Sequence, residues 1–182
     1  MRCLIVPLML AALSTTAFAD GVVVQTDALQ KAYNKVAKKL GLPSRMTLKK
    51  CTNEAGFSCS YGISGNVAAI GEGSSDDHKL AVLTIISASD SEPLNVLVAY
   101  GVAMAIFSPD ADKTERGEAL TQLLSDFDKS ENHSAQVKVD SARYRMMSAA
   151  GLGLWFVVQP SSPSTDDEDS ADTSDDEATD QQ

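Results

Sequence analysis

Leu29, Tyr33, Val36 and Leu40 recur at helical spacing, and Ala32 and Ala37 widen the apolar stripe. Thr26 is placed to cap this helix, with Asp27 in its first turn where a negative charge is favourable. Gly41 and Pro43 end it. After a short stretch around Leu48–Thr52 with little alternation, Phe57, Cys59, Tyr61 and Ile63 alternate with small polar residues, the pattern of a half-buried strand. Gly65-Asn66 offers a tight turn into a partner strand, Val67–Gly71. Leu80–Ser87 is apolar on both faces at several positions and is expected at the centre of the sheet.

A second helix is expected from a Ser91 cap, with Pro93 in its first turn. Val96–Phe107 carries no charged side chain, so most of its surface should be buried, and Gly101 among Ala99, Ala103 and Ala105 predicts close packing. Asp112 or Thr114 opens a third helix with Ala119, Leu120, Leu123, Leu124 and Phe127 on one face. Three strands close the pattern: Ala135–Val139, Ala142–Ala149 and Leu154–Gln159, the last two joined by Gly151-Leu152-Gly153. Arg143 and Arg145 must face away from Ala142, Tyr144 and Met146, and Trp155 away from Leu154 and Phe156.

The predicted fold is a two-layer α+β domain, an antiparallel curved sheet with helices packed on one face, in the order helix, three or four strands, two helices, three strands. Across residues 27–159 this order resembles the secretion-chaperone type of architecture, in which helices cover one face of a small curved sheet. No motif accompanies the resemblance, and such folds host unrelated functions.

The N-terminus changes the picture of where the protein works. Arg2, the apolar run Leu4–Leu13 and Ala17-Phe18-Ala19 read as a secretory signal peptide over residues 1–19. The stretch is much shorter than the roughly 20 residues needed to span a bilayer. The expected location is the periplasm or the exterior. Residues 20–160 form one domain with 16 acids and 14 bases, and residues 161–182 carry nine acids and no base. That last segment lacks apolar bulk and reads as a disordered acidic tail. An acidic chain with a nearly neutral body is not expected to bind nucleic acid.

Cys51 and Cys59 remain once the signal is removed, and in an oxidising compartment they read as a structural disulfide around a turn at Asn53 and Gly56. Closing so short a loop is worth roughly 2.5 kcal/mol on the chain-entropy model. No phosphate loop, nucleophile elbow, dinucleotide fingerprint or zinc-protease motif is present, and no catalytic, cofactor or metal residues are assigned. His78 follows Asp76-Asp77 and is the nearest approach to a general base.

The expected function is therefore that of an exported, non-catalytic binding or adaptor protein. Its candidate contacts are Lys31, Lys35, Lys38 and Lys39 on the first helix, and Arg143, Arg145 and Trp155 on the closing strands, where they would border the open face of the sheet. Alternation separates the two faces of each strand without assigning either one to the helices. The expected partner is another envelope or secreted protein, or a small apolar ligand held near Met146 and Trp155; a homodimer would also cover the open face. The tail is expected to shield the Lys31–Lys39 face. The alternatives are a small enzyme whose site forms by spatial convergence, and a secreted effector or inhibitor.

Overall fold

The computed structural model describes residues 24–54, 56–149 and 151–160. Residues 1–19, read as a signal peptide, and residues 161–182, read as a disordered acidic tail, lie outside the described residues. Ten elements follow in the expected order: α1 (Leu29–Lys39), β1 (Met46–Thr52), β2 (Phe57–Ile63), β3 (Val67–Gly73), β4 (Leu80–Ser87), α2 (Pro93–Phe107), α3 (Lys113–Lys129), β5 (Ser134–Val139), β6 (Ala142–Ala149) and β7 (Gly153–Pro160). The seven strands form one antiparallel sheet in the order β1-β2-β3-β4-β7-β6-β5. β4 is the middle strand.

Two meanders meet in the pairing of β4 with β7, which runs from Leu83↔Val158 to Ser87↔Leu154. The chain reaches β7 from the far edge, because the α2–α3 hairpin carries it across to β5 before β6 and β7 return inward. Gly153 starts β7 at φ 94°, and a Cβ there would run into the carbonyl of Ser87. Only glycine lets the strand enter that close to β4. β2 and β3 are joined by the three-residue loop Ser64-Gly65-Asn66, closed by the Ile63↔Val67 pair, with positive φ at Gly65 and Asn66, 83° and 60°.

β1 is a full strand of seven residues, which its sequence pattern did not define. Its pairing is irregular between Leu48 and Lys50, so alternation is lost there. As an edge strand it would leave backbone groups open. α1 covers them: Asn34 accepts from the Met46 N–H at 2.8 Å and donates to the Met46 carbonyl at 2.9 Å, while Gln30 accepts from the Leu48 N–H at 3.2 Å. Cys51 and Cys59 are direct cross-strand partners joined by a disulfide, so the bridge fastens this edge to β2.

The helix boundaries correct two expectations. α1 begins two residues later than Thr26 would set it, with Ala28 at the N-cap and no acid in its first turn. Thr26 is fully buried and donates its hydroxyl to the His78 carbonyl at 3.1 Å, in a segment where Gln25 bridges Lys79. Glu92, not Ser91, precedes α2, and the Ser91 hydroxyl donates to the Asn66 carbonyl at 2.9 Å. In both places a tertiary acceptor outcompetes the local cap. Asp112 does cap α3, accepting from the Glu115 N–H at 2.8 Å.

The core lies between the helices and one face of the sheet, and it contains all four tyrosines of the chain. Each phenol has a buried partner. Tyr33 meets the Ser44 hydroxyl at 2.8 Å and Tyr61 donates to the Thr26 carbonyl. The Ser87 hydroxyl donates to the Leu154 carbonyl at 3.2 Å and so receives Tyr100 at 3.3 Å. The Ser108 hydroxyl donates to the Val139 carbonyl at 2.8 Å and receives Tyr144 at 2.7 Å. Thr26, Ser44, Ser87 and Ser108 are the buried polar residues among those described.

Ser108→Ala would strand the Tyr144 hydroxyl and the Val139 carbonyl together, whereas Tyr144→Phe leaves the Ser108–Val139 bond in place. Denaturant unfolding should show a loss of about 2–3 kcal/mol for the first and about 1 kcal/mol for the second. Burial is the main cause that raises all four phenols above their ordinary value of 10.0, with Tyr61 and Tyr144 pushed up to about 12. A raised folded pKa means stability is complete below pH 10 and is lost as pH climbs toward the folded values. The tyrosinate absorbance should therefore stay flat through pH 10 and rise together with alkaline unfolding; a smooth titration centred on 10 would contradict the burial.

Candidate partner-binding surfaces

The helices leave the second face of the sheet uncovered. Alternation along each strand sends Tyr144, Met146, Phe156 and Val158 under the helices and turns Arg143, Arg145, Met147, Trp155 and Val157 outward. The register carries one row of open-face residues across six strands: Lys50 opposite Ser60, Ser60 opposite Ile70, Ile70 opposite Thr84, Thr84 opposite Val157, and Val157 opposite Arg145. A parallel row runs Ala68, Ile86, Trp155, Met147. The middle of this face is thus apolar and half-buried, and its flanks are basic.

Lys49 joins Lys50 on one flank, because the irregular pairing of β1 lays the Lys49 side chain over Gly62, its Cε 2.9 Å from where a Cβ would stand. Lys138 lies opposite Arg143 on the other flank. Lys50 and Arg145 are five strand spacings apart, about 24 Å. Among the described residues Lys79 pairs with Asp77 at 2.8 Å and the His78 Nδ1 lies 3.9 Å from Asp27, and none of these five cations is in an ion pair with a described acid. The indole N–H of Trp155 is buried without a hydrogen-bond partner among the described residues. Arg143, Arg145 and Trp155 are brought together on one face; periodicity set each apart from its strand neighbours, and the β6–β7 register puts them on the same side. Lys49, Lys50 and Lys138 belong with them. Lys138 was legible from the alternation of β5, but the β1 lysines were not.

Lys31, Lys35, Lys38 and Lys39 are all exposed on the outer side of α1 and form a separate surface. An apolar pocket lined by Met146 and Trp155 does not exist, since the two project from opposite faces: Met146 is fully buried beneath the helices, opposite Phe156. The apolar cavities lie instead in the helical layer. One of about 390 Å³ sits at the start of α2, and one of about 410 Å³ between α2, α3 and the end of α1. α2 is correspondingly less covered than its composition implies, with Leu94 65% and Leu97 39% exposed. Gly101 is not at a close backbone contact; a Cβ there would have no atom within 4 Å.

His78 stacks flat on Phe57 with ring centroids 3.7 Å apart and its Nδ1 faces Asp27. Asp77, the carboxylate expected beside it, pairs with Lys79 instead. Among the described residues no three His, Cys, Asp or Glu side chains converge as a metal site would require, and no helix is long and apolar enough to cross a membrane.

No family model matches the chain, and neither the curated proteins nor the solved structures contain a match. The likeness to secretion chaperones therefore rests on element order alone.

Trp155→Phe removes the unanswered N–H while keeping an aromatic ring over Ile86 and Met147. The thermal midpoint should hold or rise slightly, because leaving a buried donor unpaired costs about 1–3 kcal/mol. A marked fall in the midpoint would mean that the indole N–H has a partner in the folded protein.

Proposed function

We propose that this is an exported, non-catalytic binding or adaptor protein of the cell envelope, and that it engages an acidic protein partner through the open sheet face. The observation that carries the reading is the arrangement of that face. An apolar band around Ile70, Ile86, Trp155 and Val157 lies between two basic flanks, and no described acid forms an ion pair with those flanks. An apolar centre with a charged rim is the usual anatomy of a protein interface, and arginine and tryptophan are the residues that most often dominate its energetics. The Lys31–Lys39 surface of α1 is a second basic contact for the same kind of partner.

The chain carries its own competitor. Residues 161–182 hold nine acids and no base, and β7 hands over to them at Pro160, one residue after Gln159 pairs with Arg143. A tethered acidic segment acts at high effective concentration on nearby cations. Competition of this kind weakens as salt is raised, because screening shortens its reach to about 8 Å at physiological ionic strength.

Native mass spectrometry of the protein gently extracted from its source should reveal a bound protein. Arg143→Glu with Arg145→Glu should strip that partner at an unchanged thermal midpoint, whereas Lys31→Glu with Lys35→Glu should leave most of it. The reverse pattern would move the interface to α1. A chain that carries no protein partner, even with residues 161–182 deleted, would end the reading.

A further inference from the structure

We propose that the trough beside α2 is a ligand site for a single-chain anionic amphiphile, a long-chain carboxylate lying along α2 with its head group at Lys113 and Arg116. This site lies in the helical layer and does not depend on the reading of the open sheet face. The two cavities adjoin at Leu97, which lines both; a chain passing that side chain would occupy them as two lobes of one trough. Together their linings follow α2 from Pro93 to Ala105, a run of about 18 Å at the helical rise.

The lining is asymmetric in a way that selects a ligand. The lobe at the start of α2 is walled by Val96, Tyr100, Leu124 and Leu154. The other is walled by Leu40, Leu42, Met104 and Leu120, and it alone contains charged residues, Lys113 and Arg116. No acidic side chain lines either lobe. A long apolar channel with cations at one end complements a hydrocarbon chain that ends in an anion. The Arg116 Nη1 donates to the carbonyls of Ser108, at 3.0 Å, and Ala111. Those bonds hold the guanidinium at the trough's end and leave Nε and Nη2 for a carboxylate.

Size favours a small molecule over a protein segment. Lobes of about 390 and 410 Å³ fall within the range of ligand pockets, roughly 300–1,000 Å³, while a helix with its side chains is about 10 Å across. Gly101 and Gly117 line the second lobe, and a Cβ at either would meet nothing within 4 Å. Glycine is the poorest helix former after proline, and packing within the chain requires it at neither position. What the two glycines provide is depth.

Calorimetric titration of laurate, kept below its micelle concentration, into the purified full chain tests the site. Saturable one-to-one binding is expected. Gly101→Leu fills the trough and should weaken binding by about tenfold or more without lowering the thermal midpoint; Gly117→Leu gives a second reading at an independent position. Lys113→Glu should weaken laurate by about tenfold while leaving uncharged dodecanol unaffected. Absence of saturable binding, or wild-type affinity in both glycine variants, would overturn the proposal. So would equal losses for laurate and dodecanol in Lys113→Glu. Sedimentation supplies the remaining outcome: a dimer that Gly101→Leu converts to monomer would assign the trough to a second copy of the chain and overturn the ligand reading.

Discussion

Tyr33, Tyr61, Tyr100 and Tyr144 lie where the helices meet the sheet, and each hydroxyl must find an oxygen in a space closed to water. An unanswered phenol there would cost about 1–3 kcal/mol, so the packing is acceptable only in arrangements that answer all four. Their partners are not interchangeable. Ser44 lies in the loop between α1 and β1, Thr26 lies just before α1, Ser87 is the last residue of β4, and Ser108 follows α2. Each pair thus ties the start or end of an element to the layer opposite. Apolar contact alone would let the helices slide; these four bonds fix their positions.

Sealing the interior in this way sends the remaining chemistry outward, to two surfaces of different kinds. The open face of the sheet is broad, shallow and basic at both sides, with room for a protein. The trough beside α2 is narrow and apolar, with its cations at one end. They lie on opposite sides of the molecule, because all three helices pack against the same sheet face. Occupation of one surface does not block the other, and the domain has room for two partners at once.

The sequence made the order of elements legible because two periods are cleanly written in it: alternation in β2, β5, β6 and β7, and helical recurrence in α1 and α3. The central place of β4 followed from its apolar residues on both faces, and strand periodicity set Arg143 and Arg145 apart from Tyr144 and Met146, and Trp155 apart from Phe156; which set lies under the helices came only with the fold. Other features required a partner far along the chain. Thr26 and Ser91 look like caps, but their hydroxyls are taken by the carbonyls of His78 and Asn66. Ser44 and Ser108 read as loop residues until Tyr33 and Tyr144 arrive beside them. The irregular pairing that lays Lys49 over Gly62 has no local signature. α2 misled for another reason: a helix apolar on every side does not record which side the chain leaves bare.

Gly153 and Gly101 carry opposite messages for the variation to be expected among related chains. At Gly153 any side chain would strike the backbone of β4, so the position is closed to substitution whatever the protein binds; its constancy would be a record of backbone geometry. At Gly101 the fold is indifferent, and alanine or leucine would suit the helix better. Drift at Gly101 is what a purely structural helix would show. Persistence of glycine there, in sequences that have otherwise diverged, would be a trace of selection for the empty space above it.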